Sequence, residues 1–600
     1  MSINNILNTS QSGIFASQST LQTISHNIAN ANTTGYSRQK ITLVNAPMGL
    51  GVQIKDISRQ LDHLLDRRQE LGMSETGSLD AKSRFLEQME NIFNEAGGEG
   101  LNSRLGDLFS AADNLVDNPT NPVNREEFVT RAQSVANYLQ KMDTTLTGLL
   151  TPVDKEVDVL LEDVNTRLKA IRDINAVITG RGGSDAPLDL LDQRRQMVLE
   201  LGKLVNIQTL DTPGNGLQIM MAGGQGLLVD SVHAATFARS TVKNALDPSD
   251  PSKTTDFKGI TLDGRDLQRV QGGELGGLVE VRDSLINGKN GFATKLQALA
   301  DEIRFQFNQI ASVSVSQNMY SSQVGAFALG NNLDASIDTL VTDATSPLYS
   351  GAPVDFSRSQ DGEMIFAVGS DATHLNHVVR VSVTRTMSIQ EVVDAINNAV
   401  DQDDNSGYMS ASITTDNQLR LQSATGQYYG TVSDSSNMLA AFGIGAVFSG
   451  TAARDMGTNP ILLDDASALG VGRMSPVYGD PNDPTRITSA TFDDGDNQAA
   501  LAYSRLRETK VLIGNQKATL SGHYAAITGA LGAVVNQNSE SMTAQKAAQD
   551  FLETLRQSTS GVSMEEELTD LLRYQRTFQG CSKMVTTADM MMQTIINMVG

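Results

Sequence analysis

Near the start of the chain, Ile3, Leu7, Ser10, Ile14, Ser17, Leu21, Ile24 and Ile28 follow one another in alternating steps of four and three. That alternation is heptad spacing, which keeps one stripe of an α-helix facing a partner helix. No Asp, Glu, Lys or Arg appears before Arg38. A solvated helix ordinarily carries charges on its outer faces, often as i,i+4 pairs. Their absence predicts a helix whose other faces also meet protein, where an unpaired charge is costly. The far end has a similar stripe through Leu571, Tyr574, Phe578, Cys581, Val585, Ala588, Met592, Ile595 and Val599. Ser563 and Glu566 form a capping-box pattern, and Glu565, Glu566 and Glu567 put negative charge at the helix N-terminus, where the dipole favours it. No charged side chain follows Asp589. Cys581 lies on the stripe and reads as core rather than nucleophile. The two stripes predict one α-helical coiled coil built from opposite ends of the chain.

Such a pair is weak alone. Ordering a residue costs about 1–2 kcal/mol, and a two-helix seam buries only part of each helix. Helices of this kind gain stability from tertiary and quaternary packing more than from propensity. The ends are therefore expected to be mobile in an isolated chain and to order among neighbouring subunits.

The whole chain fits that picture. At 600 residues it exceeds a single core, so three or four domains are expected. A formal net charge of −23 argues against nucleic-acid binding, which needs clustered Lys and Arg. The single cysteine excludes an intrachain disulfide and offers no zinc spacing. No apolar run reaches membrane-spanning length, and no basic residue precedes an apolar stretch as in a secretory signal peptide. Export, if it occurs, is expected by another route.

The first stripe ends in "SHNIANANTTGYSRQ". Asn30 and Asn32 tolerate turn or left-handed backbone, Gly35 supplies free φ, and Tyr36 can anchor the emerging chain; Arg38 completes the motif. This segment resembles the N-terminal signature of the axial proteins of the bacterial flagellum, the rod, hook and hook-associated family. Its Tyr36-Ser37-Arg38-Gln39 ending is more similar to the hook-associated members. "SGVSMEEELTDLLRYQRTFQGCSKMVTTADMMMQTIINM" resembles their C-terminal signature.

Between the ends, apolar periodicity predicts helices over Leu79–Glu95 (stopping at Gly97-Gly98), to about Val116, over 124–150, and through Val157, Leu160, Val164, Leu168, Ile171, Asn175 and Ile178. "LDLLDQRRQMVLELGKLV" is a further helix and also resembles a family segment. Residues 205–237 switch to period two around "TPGNG", which is hairpin chemistry. "GGELGGLVEVRDSL" opens a long helix to about Ala311. Residues 312–489 are strand-rich, with a helix capped by Ser388 and Glu391 and an exit at "YGDPNDPTR". Leu520, Tyr524, Ile527, Leu531 and Val534 return to helical spacing. The fold expected is multidomain and mainly α. Residues 1–38 and 560–600 form a terminal coiled-coil axial domain. Residues 39–311 and 490–559 form a long-helix bundle with a β excursion near 205–237. Residues 312–489 form an inserted α+β, strand-rich outer domain.

Candidates for chemistry are few. His374 and His377 form an H-x-x-H pair without a third ligand at usable spacing. "DQDDNSG" (401–407) begins like a calcium loop, but Ser406 stands in the glycine place and Ser412 at position twelve. "AGGQG" lacks the Lys-Ser/Thr of a phosphate loop. No catalytic residue, cofactor or metal is nominated, and no enzyme is expected.

The resemblance implies a structural protein exported by the flagellar type III apparatus and polymerised at the distal hook end to join hook to filament. Its implied partners are further copies of itself, the hook protein, hook-associated protein 3 and a cytoplasmic export chaperone on the C-terminal helix, with neither nucleic acid nor membrane insertion. It implies assembly seams at Ile3, Leu7, Ile14, Leu21, Ile24 and Ile28 and at Leu571, Tyr574, Phe578, Val585, Met592, Ile595 and Val599. The alternatives are a hook or distal rod protein, or a secreted hydrolase or adhesin acting through the middle domain.

Overall fold

The computed structural model describes residues 3–47, 51–94, 100–180, 187–243, 258–267, 269–317, 319–330, 333–342, 356–401, 403–480 and 483–599. The chain opens with α1 (Ile3–Asn30), followed by a hairpin of β1 (Gln39–Asn45) and β2 (Val52–Arg59). Helices α2 (His63–Phe93), α3 (Leu101–Asp117), α4 (Pro122–Gly148), α5 (Leu150–Gly180) and α6 (Leu188–Leu204) come next, then strands β3 (Ile207–Thr212) and β4 (Gly216–Met221). Helices α7 (Gly273–Glu280) and α8 (Phe292–Ser312) follow. The middle carries the short helices α9 (Ile337–Thr342), α10 (Ile389–Asn398), α11 (Met438–Phe442) and α12 (Pro460–Asp464) among antiparallel strands. The chain closes with α13 (Gln498–Arg505), the 41-residue α14 (Leu520–Ser560) and α15 (Met564–Val599). The fold is mainly α and has more than one hydrophobic core.

Local chemistry explains the helix boundaries. Asp62 accepts from the Leu64 and Leu65 amides, so α2 starts well before Leu79. The Gly97-Gly98 stop lies outside the described residues. Asn121 caps α4, with Pro122 in the first turn. On α5 the stripe from Val157 to Ile178 is buried throughout, Asn175 included. The "TPGNG" turn closes β3 onto β4, with Gly214 at φ +75° and Asn215 at φ +57°. The β excursion runs past residue 237, because strands Phe237–Lys243, Lys258–Leu262 and Arg265–Asp266 form a second small sheet.

Three expectations are corrected. The hairpin β1–β2 stands where no strand was foreseen: Thr42 and Leu43 flank a register shift, and one face lies against α1, so the two-residue alternation is interrupted. The helix from Gly273 to Ala311 is broken. Val281–Ile286 widens to a π-helix, and the chain turns at Gly288 and Gly291 before restarting at Phe292. A methyl on Gly291 would sit 2.4 Å from the Ile286 carbonyl oxygen, so this turn needs glycine. Finally, the insert does not stay apart from the main core: Val447 to Val471 pack into the helical core, whereas Met474, Ile487, Ala490 and Phe492 return to pack on Val315, Ala367, Leu375 and Val378 of the strand-rich module. The chain thus visits the main core between Val447 and Val471 and then goes back to the module. "YGDPNDPTR", read as the exit, belongs to the paired strands Ser475–Asp480 and Asp483–Thr491, the second of which also pairs with His374–Leu375 of the module.

The main core is built by α2–α8, α13 and the first turns of α14, around the ring cluster Phe109, Phe128, Phe307 and Tyr503. Beyond it, α14 runs antiparallel to α2. Asn538 donates to the Leu79 carbonyl and Gln545 to the Gly72 carbonyl, while Gln69 donates to Glu553. This antiparallel pair brings the end of α14, and hence the start of α15, back to the exit of α1.

Candidate functional site

The two ends of the chain pack on each other as α1 and α15. A methyl on Gly13 would lie 2.7 Å from Cys581 Sγ, so the helices touch closely there. The fully buried side chains of α1 are Ser10, Ala16, Ser17, Thr20, Thr23, Ile24 and Asn27. Ile3, Leu7, Ile14, Leu21 and Ile28 are half-buried and flank that centre. The stripe is therefore rotated toward small and polar residues, which permit the close approach. Thr20 stays satisfied there by donating to the Ala16 carbonyl. On α15, Leu571, Tyr574, Phe578, Cys581, Val585 and Met592 are half-buried and Ala588 is buried. Ile595 remains 49% exposed, and the Val599 side chain lies outside the described part of the chain.

The other faces keep large apolar side chains in solvent. Phe15 on α1 is 59% exposed, and Leu568, Leu572, Met584, Met590, Met591 and Ile596 on α15 are likewise exposed. Leu64 and Leu71 on α2 and Phe551 on α14 add to this set.

At its root the pair is held by a polar knot. The Asn27 amide uses all four of its hydrogen-bonding positions. It donates to the Gln39 carbonyl at 2.9 Å and to Glu567 Oε2 at 3.0 Å, and accepts from Tyr36 Oη at 2.9 Å and from the Gln39 amide at 3.0 Å. Arg38 Nε donates to Glu567 Oε1 at 2.7 Å, Nη1 to Glu566 Oε2 at 2.8 Å, and its amide to the Ser560 carbonyl. Glu566 thus gives its carboxylate to Arg38, while its own amide reaches back to Ser563 Oγ at 3.5 Å. Ser37 donates its amide to Asp192 Oδ2 on α6, and Arg59 at the end of β2 pairs with Asp192 Oδ1. Burial, with Asp192, Glu567 and Asp189 nearby, pushes the Tyr36 phenol up to about 12.

The turn residues have distinct places. Gly35 is buried at φ +82°, the only residue of the turn in the left-handed region. Asn30 and Asn32 do not take that conformation. Asn30 ends α1, donating to the His26 carbonyl and accepting from Thr33 Oγ1, and Asn32 is exposed. The sequence motif did not single out Asn27, Glu567, Asp192 or Arg59. A polar residue three positions after Ile24 on a buried stripe was the available signal, because buried Asn in helix pairs fixes register.

The chemistry candidates fall together elsewhere. His374 is exposed. His377 stacks on Tyr408 with its Nδ1 3.6 Å from Asp401 Oδ2 and 3.5 Å from Asp404 Oδ2. Those carboxylates already accept from the Val378, Asp403, Asp404 and Ser406 amides and from the Tyr408 hydroxyl, as an acidic turn does. No described helix is long and apolar enough to cross a membrane.

Comparison with known proteins agrees along the length of the chain. Residues 86–323 match the flagellar hook-associated protein FlgK helical domain. Residues 7–36 match the flagella basal body rod protein family, and residues 555–598 the flagellar basal body rod FlgEFG protein C-terminal family. Residues 365–425 match the flagellin hook IN motif. Flagellar hook-associated protein 1 of Escherichia coli K12 is 23% identical over 99% of this chain and all of its own length. The protein of the same name from Bacillus subtilis is 29% identical over 36% of this chain and 46% of its own. Among solved structures, the flagellar hook junction protein FlgK from Burkholderia pseudomallei shares the fold at a TM-score of 0.51 and 17% identity, over 82% of this chain and all of that one. With α1, the helical body and α15 each matched in order, the chain is similar to flagellar hook-associated protein 1 over its whole length.

Proposed function

We propose that this chain is a structural junction subunit of the bacterial flagellum, exported by the flagellar type III apparatus and polymerised at the distal end of the hook to connect hook and filament. The observation that carries the reading is the terminal helix pair, clamped at its root yet lined with exposed apolar side chains on its other faces. Burying a large apolar side chain contributes about 1.5–3 kcal/mol, so neighbouring copies stacked on these faces would gain far more than the pair gains alone. The pair acts as a coiled-coil axial element, with the seam residues at its contacts and the Asn30, Asn32, Gly35, Tyr36 and Arg38 turn at its root. The helical body surrounds it, and the strand-rich module points away. Hook protein lies on one side of the layer and hook-associated protein 3 on the other, and an export chaperone covers α15 before secretion. The role is structural rather than catalytic.

A strain lacking this chain tests the reading. Electron microscopy should show bare hooks with filament protein shed into the medium, and the wild-type chain supplied in trans should restore filaments. Normal filaments on hooks without the chain would overturn it.

A further inference from the structure

We propose that Asp192 on α6 is a positioning residue that fixes the direction in which the terminal helix pair leaves the body, an inference resting on the reading of that pair as the assembling element. Its carboxylate is 8% exposed and serves two strands of the chain at once. Oδ2 accepts the Ser37 amide at 3.1 Å, where the chain has just left α1. Oδ1 accepts Arg59 Nη1 at 2.8 Å, where the chain returns from the β1–β2 hairpin. One carboxylate of the body therefore pins both ends of the hairpin excursion that lies along α1.

The same face of α6 continues the bracing. Three residues on, and so on the same side of the helix, Arg195 pairs with Asp66 at 2.7 Å and donates to Gln69 Oε1 at 2.6 Å. Gln69 passes the connection to Glu553, which pairs with Arg556 near the end of α14. The exit of α1, the start of α2 and the end of α14 are thus referenced to α6. Apolar packing slides at little cost, whereas hydrogen bonds to charged groups are directional and about twice as strong as neutral ones.

The length of the lever makes this placement matter. The 36 residues of α15 extend about 54 Å at 1.5 Å per residue. A tilt of about 10° at the root would then carry the far end sideways by about 9 Å, roughly one interhelical spacing. A subunit that must stack its ends against several neighbours needs the root held more tightly than that.

The test uses the purified full-length chain with Cys581→Ser, carrying spin labels at the exposed Gln140 and Arg576 positions. With Asp192 intact one narrow distance distribution is expected, because the root contacts restrain the pair in the isolated chain where the seam alone would leave it mobile. Asp192→Ala should at least double its width and speed amide exchange at Ser37 about tenfold or more, while exchange in α4 and α5 stays within about twofold. Asp192→Asn, which keeps the shape and an acceptor, should fall between. An unchanged width in Asp192→Ala with the body folded overturns the inference. If Asp192→Ala loses the folded body, Arg59→Leu carries the test, since Asp192 keeps its bond to Ser37; it too should broaden the distribution, and an unchanged width overturns the inference. The measurement needs no hook or filament. Its failure therefore rejects the role of Asp192 alone, whereas the strain lacking the chain tests the junction reading.

Discussion

Replacing Arg38 with Ala should open the root of the terminal pair, and the structure sets how far. The Glu567 side chain is 2% exposed and holds Arg38 Nε at 2.7 Å. Removing one partner of a buried ion pair costs about 3–5 kcal/mol when nothing else compensates. Here Asn27 keeps its bond to Glu567, and the Arg38 side chain is itself 21% exposed, so water can reach the abandoned carboxylate. The expected loss is therefore about 2–3 kcal/mol, allowing for that compensation. The second pair, Arg38 with Glu566, adds less than about 1 kcal/mol because Glu566 is 64% exposed. The Arg38 amide still reaches Ser560 in the Ala variant, so the backbone path is unchanged. Converted at about 1.4 kcal/mol per tenfold, the opening population should rise roughly 30- to 140-fold. Amide exchange over residues 561–575, measured by mass spectrometry where closing outpaces exchange, reads this directly. Glu566→Ala is the control and should change exchange less than about fivefold. Equal effects of Arg38→Ala and Glu566→Ala, or less than a tenfold change in Arg38→Ala, would refute the burial argument.

Other perturbations probe the rest of the site. Gly13→Ala drives a methyl to 2.7 Å from Cys581 Sγ and should destabilise the pair by about 1–3 kcal/mol; Cys581→Ala should restore most of that loss in denaturant unfolding, and an absence of rescue would mean the helices do not meet there. Gly35→Val, at φ +82°, should cost more than the roughly 1–2 kcal/mol of an ordinary residue in the left-handed region and block incorporation at the hook with the body still folded; wild-type motility would contradict this. Because the Tyr36 phenol is raised above its ordinary value, its neutral form stabilises the fold below pH 10, and that contribution disappears as pH rises through about 12. In Tyr36→Phe the stability curve should fall less steeply between those limits, as followed by phenolate absorbance and circular dichroism. Replacing residues 327–442 with a short Gly/Ser linker should leave the helical core folded and partial filament growth intact, since the Ala326 amide donates to the Gly443 carbonyl at 3.0 Å and loop closure costs little; a folded, secreted variant that never caps the hook would place the module in the axial interface.

Much of this protein was written in local periodicity. Heptad steps mark α1 and α15 as partner-seeking helices, the α5 stripe from Val157 to Ile178 is buried as spaced, and Ser388 with Glu391 forms the capping box at α10. Such signals are legible because a helix repeats every 3.6 residues and a cap acts within one turn. Period alone, however, says which stripe is buried and not how closely a partner approaches. On α1 the contact at Gly13 and Cys581 turned the buried centre toward Ser10, Ser17, Thr20 and Asn27, leaving the larger apolar residues at the flanks. The hairpin β1–β2 escaped notice because its bulge breaks the alternation that would have announced it.

The knot at the root could come only from the tertiary structure. Asn27 and Glu567 stand 540 residues apart, and Ser37 and Asp192 are 155 apart. No local pattern links such positions, because each side chain is an ordinary polar residue until the antiparallel pair of α2 and α14 returns the end of the chain to its beginning. The sequence by itself determined that two helices would seek a partner; the packing of the body decided that they would find each other, and which polar groups would be buried where they meet. Once those groups were removed from water their hydrogen bonds had to be satisfied, and geometry rather than sequence spacing chose the partners.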